Sequence, residues 1–209
     1  MIHIDLQPEP TDFDKNVRQP GNDFLAQCPD PKRDDWHKHN YWSRCNAQLY
    51  SAYGGICAYC AQWFSPTTST TSVDHFLPKK HHPEKAYEWD NYRLTTQKMN
   101  GYKKDRYVLD PFEIKNGDIV IDFPSCLLKP RKNMTPAEKS KVKSTIQILH
   151  LNDEEFAEQR CGIVIDYING KFNRQFLQEK YPFIAEELSR QNLYDDIKNI
   201  IKQPMLGPS

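Results

Sequence analysis

The sequence predicts an α+β fold in which a small unit of two strands and one helix is embedded in a mainly α-helical chain. Two short segments that favour extended structure, 56–63 and 72–77, flank the polar loop 65–71, and a helix is expected over 95–104. Most of the remaining chain has the apolar spacing of helices. The 209 residues are enough for one domain, or for a small module wrapped by additional helices.

The N-terminal part, residues 1–35, is predicted to be an irregular arm, because it is rich in Asp and contains five prolines. A helix is then expected from a cap at Asp34 or Asp35 to about Tyr53, where two glycines end it. This helix and the strand-strand-helix unit together form the predicted core, residues 36–110.

The C-terminal part, residues 111–209, is predicted to be helical and to dock a partner. A short strand is expected over 119–123. Thr135, Pro136 and Glu138 form the N-cap, first-turn proline and capping-box pattern of a helix that runs to about residue 151. Further helices are expected after a cap at Asp153 and over 172–190 and 193–202.

The composition is that of an ordinary globular protein, with 38% hydrophobic and 27% charged residues. No run of about 18 apolar residues is present, so no membrane span is expected. The first residues lack the basic and apolar segments of a secretory signal, which favours a cytoplasmic location. In that compartment the six cysteines are expected to be reduced thiols.

The charges are unevenly distributed although the net charge is zero. Residues 76–106 contain eight Lys or Arg against four Asp or Glu, and residues 129–143 contain six against one. These segments predict either a phosphate-binding stripe or ordinary solvated helix faces.

Asp74 and His75 form the first candidate pair for chemistry. Neighbouring residues of a strand point to opposite faces, so the two can serve one site only where the strand ends, and Pro78 provides that end. A carboxylate is a hard ligand for Mg²⁺, and a histidine can take a proton from water. Alone, the pair is also compatible with a purely structural role.

Three downstream residues extend this pair. The amide of Asn91 can hold the backbone of the loop, Asn100 lies at a mid-helix position that disfavours Asn, and Lys103 follows one turn later on the same face. Taken singly, they are compatible with a turn residue, a solvent-facing amide and a solvated lysine.

The combined pattern within 57–104 is Cys-x2-Cys, Val-Asp-His-Phe-x-Pro, Trp-Asp-Asn-Tyr-Arg-Leu and Asn-x2-Lys. This stretch resembles the HNH endonucleases, whose ββα-metal unit has two strands followed by one helix. The resemblance implies a nuclease that hydrolyses phosphodiester bonds in DNA or RNA.

The resemblance also implies roles for individual residues. Asp74 and Asn100 match the ligands of a divalent metal, Mg²⁺ or Mn²⁺, His75 matches the general base, and Asn91 matches the residue that positions it. Lys103 matches the basic residue that binds phosphate. Two further lysines, Lys79 and Lys80, are assigned to the substrate, and the adjacent His81 and His82 either assist the leaving group or are exposed and inert.

Cys57 and Cys60 form a possible structural pair. Many HNH proteins have a second Cys-x2-Cys that completes a zinc site, but here Thr96 and Met99 occupy those positions. We therefore do not expect structural Zn²⁺, since such sites use four ligands. The pair then packs as small hydrophobic residues beside Trp63, unless further ligands come from Cys126, Cys161, His81 or His82.

The His-Phe-Leu-Pro-Lys-Lys segment and the helical C-terminal extension resemble the HNH subunit of Septu-type antiphage defence systems, a subunit that some retrons also use. This resemblance implies an ATPase subunit as partner. The alternatives are a catalytically silent adaptor with the same fold and a stand-alone restriction-type nuclease. The neutral net charge favours a subunit that borrows binding surface from a partner.

Overall fold

The structure is a computed structural model that describes residues 1–201. The chain divides into two compact units. The first unit comprises residues 4–59 and 63–113, and the second comprises 1–3, 60–62 and the described residues from 114 onward. Helices and two small antiparallel sheets together make an α+β architecture, as predicted. Within residues 1–201 no helix is both long enough and apolar enough to cross a membrane.

Residues 4–12 of the first unit contain no helix, but helical structure covers 13–27 and begins again at 33, so the prediction of an irregular arm over 1–35 is wrong for those residues. A π-helical turn at Asp14–Arg18 continues into helix α1, Gln19–Gln27. Pro20 lies in the first turn of α1, directly after the π-helical turn, a position whose helical φ a proline ring matches. Phe13 and Val17 are buried and anchor this segment in the core.

The single helix predicted from Asp34 or Asp35 to Tyr53 is also wrong. Helix α2 covers Arg33–Lys38, a 3-10 turn covers Tyr41–Cys45, and α3 covers Asn46–Ala52. The break falls at Asn40, whose ψ of 47° is not helical. Asp35 caps α2 from within its first turn, where its carboxylate accepts a hydrogen bond from the backbone N–H of Lys32 at 2.9 Å.

The sheet of the first unit consists of β1, Thr71–His75, and β2, Tyr92–Thr96, in antiparallel register with Asp74 opposite Arg93. Helix α4, Gln97–Lys103, follows β2 directly. The predicted strand 56–63 is wrong, because this segment forms only an isolated bridge between Ile56 and Trp63. The observed order is strand, long loop, strand, helix.

The second unit contains β3, Ile119–Asp122, paired antiparallel with β4, Leu127–Pro130. The strand predicted at 119–123 is thus confirmed, while its partner was missed. Five helices follow among the described residues: α5 at Pro136–Ile148, α6 at Glu154–Ile168, α7 at Arg174–Lys180, α8 at Pro182–Arg190 and α9 at Ile197–Ile200.

The helix caps of the second unit follow the sequence closely. Thr135 and Glu138 form the predicted capping box, and Asp153 stands at the N-cap position of α6. The single helix predicted over 172–190 is divided because Pro182 starts a new helix after Tyr181. The helix predicted over 193–202 is shorter than expected, and its last residue lies outside the described part of the chain.

Each unit has its own apolar core. The largest fully buried apolar side chains of the first unit are Phe13, Leu49, Tyr59, Tyr87, Tyr92, Leu94 and Met99. Those of the second unit include Ile119, Ile121, Phe123, Leu149, Leu177 and Leu188.

Candidate active site

A cavity of about 910 Å³ lies in the first unit, beside the end of β1. The end of β1, the loop that follows it and one face of α4 form one side of the cavity. The segment around α2 also contributes to its lining. The cavity brings together these residues proposed from the sequence: Asp74, His75, Lys79, Lys80 and Asn100.

His75, the last residue of β1, is buried with a defined ring orientation. Its Nε2 lies 2.9 Å from the carbonyl oxygen of Ala86. Because a carbonyl can only accept a hydrogen bond, Nε2 carries the proton and the neutral ring has its lone pair on Nδ1. Trp42 and Tyr92 contact the ring edge-to-face, with centroids at 4.8 Å and 5.4 Å. The aromatic contacts therefore fix the plane of the ring, and the hydrogen bond to Ala86 fixes its tautomer.

The surroundings of His75 also determine its charge. Burial lowers the pKa of His75 well below its ordinary value, and the nearby ammonium groups of Lys79 and Lys103 lower it further. The imidazole is consequently neutral at physiological pH. A neutral imidazole with a free Nδ1 lone pair can accept a proton from a bound water molecule.

Asn91 closes the loop between the two strands. Its Oδ1 accepts a hydrogen bond from the Leu77 backbone N–H at 2.8 Å, and its Nδ2 donates to the carbonyl oxygens of Leu77 and Lys85, both at 3.0 Å. Lys85 immediately precedes Ala86, whose carbonyl accepts the hydrogen bond from His75 Nε2–H. The Asn91 amide thus fixes the backbone that orients the imidazole.

Asp74 is bound by two buried donors. The Tyr59 hydroxyl donates to one carboxylate oxygen, and the Lys103 ammonium lies 3.1 Å and 3.2 Å from the two oxygens. Lys103 also donates to the His75 carbonyl oxygen at 2.9 Å. Burial and the neighbouring Asp74 charge raise the pKa of Tyr59 well above its ordinary value, so this hydroxyl remains a donor.

Tyr59 was not among the site residues predicted from the sequence. It lies inside the Cys-x2-Cys segment, which was interpreted only in terms of its cysteines. A large polar side chain between two small residues, in a segment next to a candidate site, was the available signal.

The position of Lys103 corrects the role that the resemblance implies for it. Its side chain is 0% exposed and does not line the cavity, so its ammonium meets Asp74 and not a substrate phosphate. The next residue, Lys104, is exposed and lines the cavity. The chain turns sharply at this point, because Lys104 ends α4 with a φ of 53°. Lys104 is therefore the lysine of this pair that can reach a phosphate.

Asn100 is oriented by β1. Its Nδ2 donates to the Ser72 hydroxyl at 2.8 Å and to the Val73 carbonyl at 3.1 Å. Since both hydrogen bonds use the nitrogen, Oδ1 is the atom of this amide that can act as a ligand.

Asp74 and Asn100 offer two hard oxygen donors to one cavity, and this set fits a Mg²⁺ ion that retains several waters. Among residues 1–201, no group of three or more His, Cys, Asp or Glu side chains could hold a metal ion. A cation held by Asp74 and Asn100 would share the Asp74 carboxylate with Lys103.

The loop lysines differ in their contacts. The Lys79 ammonium lies 4.9 Å from the centre of the Trp42 ring, and burial lowers the pKa of Lys79. Lys80 is exposed and lies 3.4 Å from an Asp105 carboxylate oxygen. His81 and His82 do not line the cavity, and His82 instead contacts the Glu84 carboxylate and the Tyr107 hydroxyl.

The described cysteines are free thiols. Cys57 is fully buried in the first unit, where its sulfur lies 3.5 Å from the Thr95 hydroxyl. Cys60 belongs to the second unit. Cys126 is also buried in the second unit, and its thiol donates to the Phe123 carbonyl.

Comparison with known proteins gives one informative similarity. No family profile matches the sequence. The chain is 28% identical over 101 residues to the Septu protein PtuB of Bacillus thuringiensis. The match covers 46% of this chain and 36% of that protein's length. This distant similarity supports a relationship between the chain and Septu proteins.

Proposed function

We propose that the chain is a metal-dependent nuclease of the HNH type that hydrolyses phosphodiester bonds in DNA or RNA. The observation that carries the proposal is the His75 ring, which is neutral, held on the Ala86 carbonyl and placed at the same cavity as Asp74 and Asn100. Metal-assisted hydrolysis needs a general base and ligands for the metal ion, and a fixed imidazole beside two oxygen donors can supply both.

The local topology supports the same proposal. Strands β1 and β2 pair antiparallel, and α4 follows β2 directly. This order is that of the ββα-metal unit, with the base on the first strand and Asn100 on the helix. The long loop between the strands is closed by Asn91, as the resemblance implies for the positioning residue.

In the proposed reaction, Nδ1 of His75 takes a proton from a water molecule. The resulting hydroxide attacks the phosphorus, and the scissile P–O bond breaks to release the leaving oxygen. Asn91 holds the loop that keeps Nε2–H on the Ala86 carbonyl, and so keeps the unprotonated lone pair on Nδ1. Asp74 and Asn100 would hold a divalent cation, which would supply Lewis-acid stabilisation of the phosphate and of the leaving oxygen.

The lysines near the site have two different roles: some bind phosphate, and one positions Asp74. Lys79 and Lys80 line the cavity together with Lys104, where their ammonium groups can neutralise phosphates. Lys103 acts through Asp74: it holds the carboxylate in a fixed place, and it compensates the buried charge.

The similarity to a Septu protein supports a role in antiphage defence. The ATPase subunit that we propose as partner rests on the sequence resemblance alone. A catalytically silent adaptor is the second candidate. The observation that favours it is the saturation of Asp74 by Tyr59 and Lys103, which keeps the site intact without a metal ion. The two candidates differ in one outcome, which is cleavage.

A cleavage assay tests the proposal. The chain, alone and copurified with any ATPase found to be encoded beside it, is incubated with plasmid DNA, single-stranded DNA and tRNA. We expect cleavage of at least one substrate with Mg²⁺ or Mn²⁺ and none with EDTA. Absence of cleavage under all these conditions, from a folded complex, would establish the adaptor instead.

A further inference from the structure

The cavity beside His75 has a second wall that lies outside the strand-strand-helix unit. Residues 30–33, 36–37, 40 and 42 line it, and most of these belong to α2 or its flanks. Arg33 and His37 lie four residues apart, so they share one face of α2. Both are exposed and both line the cavity, and no ion pair of Arg33 is described within residues 1–201.

Aromatic packing holds α2 in place. Trp36 is buried, with ring centroids 6.0 Å from Phe24, 6.1 Å from Trp42 and 6.2 Å from Tyr87. The Tyr87 hydroxyl donates to the His39 carbonyl just after α2, at 2.8 Å. Tyr87 follows Ala86, the residue whose carbonyl accepts the hydrogen bond from His75 Nε2–H. The same loop therefore anchors both α2 and the candidate base.

Both walls of the cavity carry cations. The carboxylates of Asp30 and Asp105, which also line it, are paired with Lys32 and Lys80, and Asp74 is paired with the buried Lys103. Arg33 faces the cavity from α2, while Lys79, Lys80 and Lys104 face it from the other wall. The volume of about 910 Å³ is that of pockets that enclose whole drug-sized ligands, and it exceeds the needs of one phosphate group. A cavity with cations on both sides and this size suits a chain of phosphates.

We propose that α2 forms the second half of the nucleic-acid groove, and that Arg33 and His37 bind phosphates that flank the scissile bond. This inference rests on the proposed nuclease function and specifies how its substrate is held. Arg33 binds through its planar guanidinium, which matches two phosphate oxygens. His37 adds a hydrogen bond from the next turn of the same face.

Binding measurements with a charge-matched control test this inference. Fluorescence anisotropy with labelled single-stranded DNA and RNA, in EDTA to prevent cleavage, gives Kd as a function of salt. Arg33→Gln should raise Kd roughly fivefold to tenfold and reduce the slope of log K against log salt by about 0.7. Lys38→Gln removes an equal charge from α2 at an exposed residue that does not line the cavity, so it should change Kd less than about twofold.

The outcomes separate this inference from the proposed function. Equal weakening by Arg33→Gln and Lys38→Gln would show a non-specific charge effect and overturn the role of Arg33. If EDTA abolishes binding by the unaltered protein, kcat/KM with Mg²⁺ replaces Kd, and an unchanged value for Arg33→Gln overturns the inference while the nuclease stands. If the unaltered chain neither binds nor cleaves nucleic acid, both proposals fail. Loss of ATPase binding alone in Arg33→Gln would assign this face to a protein partner, against the inference.

Discussion

Lys103→Met tests the internal ion pair that supports the candidate site. The Lys103 ammonium lies 3.1 Å and 3.2 Å from the two oxygens of Asp74, and the two side chains are 0% and 2% exposed. Methionine preserves most of the length of the side chain but removes its charge. The Asp74 carboxylate is then left in the interior with Tyr59 as its remaining described donor.

The expected loss of stability is large. Removal of one partner of a buried ion pair costs about 3–5 kcal/mol, because the other charge stays buried without compensation. The His75 carbonyl also loses its donor, at a cost of roughly 1 kcal/mol. The free energy of unfolding of a typical domain is about 5–15 kcal/mol, so Lys103→Met should be visibly destabilised.

Urea unfolding in EDTA, followed by circular dichroism, measures this effect. Lys85→Met is the matched control, because Lys85 forms a surface pair with Asp90 at 3.5 Å and such a pair contributes about 0–1 kcal/mol. The double variant Lys103→Met/Asp74→Asn should be more stable than Lys103→Met, since it no longer buries an uncompensated charge. If Lys103→Met lowers the free energy of unfolding by less than about 1 kcal/mol, the reasoning is refuted, because an exposed ion pair contributes that much.

Three further variants have defined outcomes. Tyr59→Phe removes a donor from the buried Asp74 carboxylate and should lower the free energy of unfolding by about 1–3 kcal/mol in urea titrations. Asn91→Ala removes three hydrogen bonds to the loop backbone, so it should lower stability by roughly 2–4 kcal/mol and slow cleavage more than Lys85→Met does. In EDTA, the free energy of unfolding should decrease as the pH falls from 6.5 to 5. The decrease should be larger for the unaltered protein than for His75→Asn, by up to about 1.4 kcal/mol per pH unit.

The sign of this pH effect follows from the lowered pKa of His75. Above the ordinary histidine pKa of 6.5 both states are neutral at this residue, and the shift has no effect. Below pH 6.5, the unfolded chain binds a proton at this residue that the folded chain does not bind. The free energy of unfolding therefore decreases as the pH decreases. Parallel pH profiles of the unaltered protein and His75→Asn would show that His75 is charged in the fold. An unchanged urea midpoint for Tyr59→Phe, or for Asn91→Ala, would contradict the corresponding hydrogen bonds.

Local sequence signals predicted the elements that depend on local chemistry. The box of Thr135 and Glu138 marks the start of α5 because these two side chains satisfy the first N–H groups of the helix themselves. The polarity and spacing of Asp74, His75 and Asn100 likewise allowed them to be singled out before the fold was known. The structure brings these three residues to one cavity.

Long-range pairing was not accessible from the sequence. The extended pattern at 56–63 predicted a strand, but β1 pairs with 92–96, a segment across a long loop. The role of Lys103 was misjudged for a related reason, because exposure is the default for lysine and only tertiary packing buries its ammonium against Asp74. Similarly, the contribution of α2 to the cavity depends on the packing of Trp36, which no local pattern reveals.

The cleavage rate of His75→Ala tests the central claim most directly. The measurement is a single-turnover rate with Mg²⁺ or Mn²⁺ on the substrate that the unaltered chain cleaves, at a temperature where circular dichroism shows both proteins folded. Because a general base contributes about 100-fold to 10,000-fold, the rate should fall by at least about 100-fold. A folded His75→Ala protein that cleaves at the unaltered rate would remove His75 from the role of base and contradict this account.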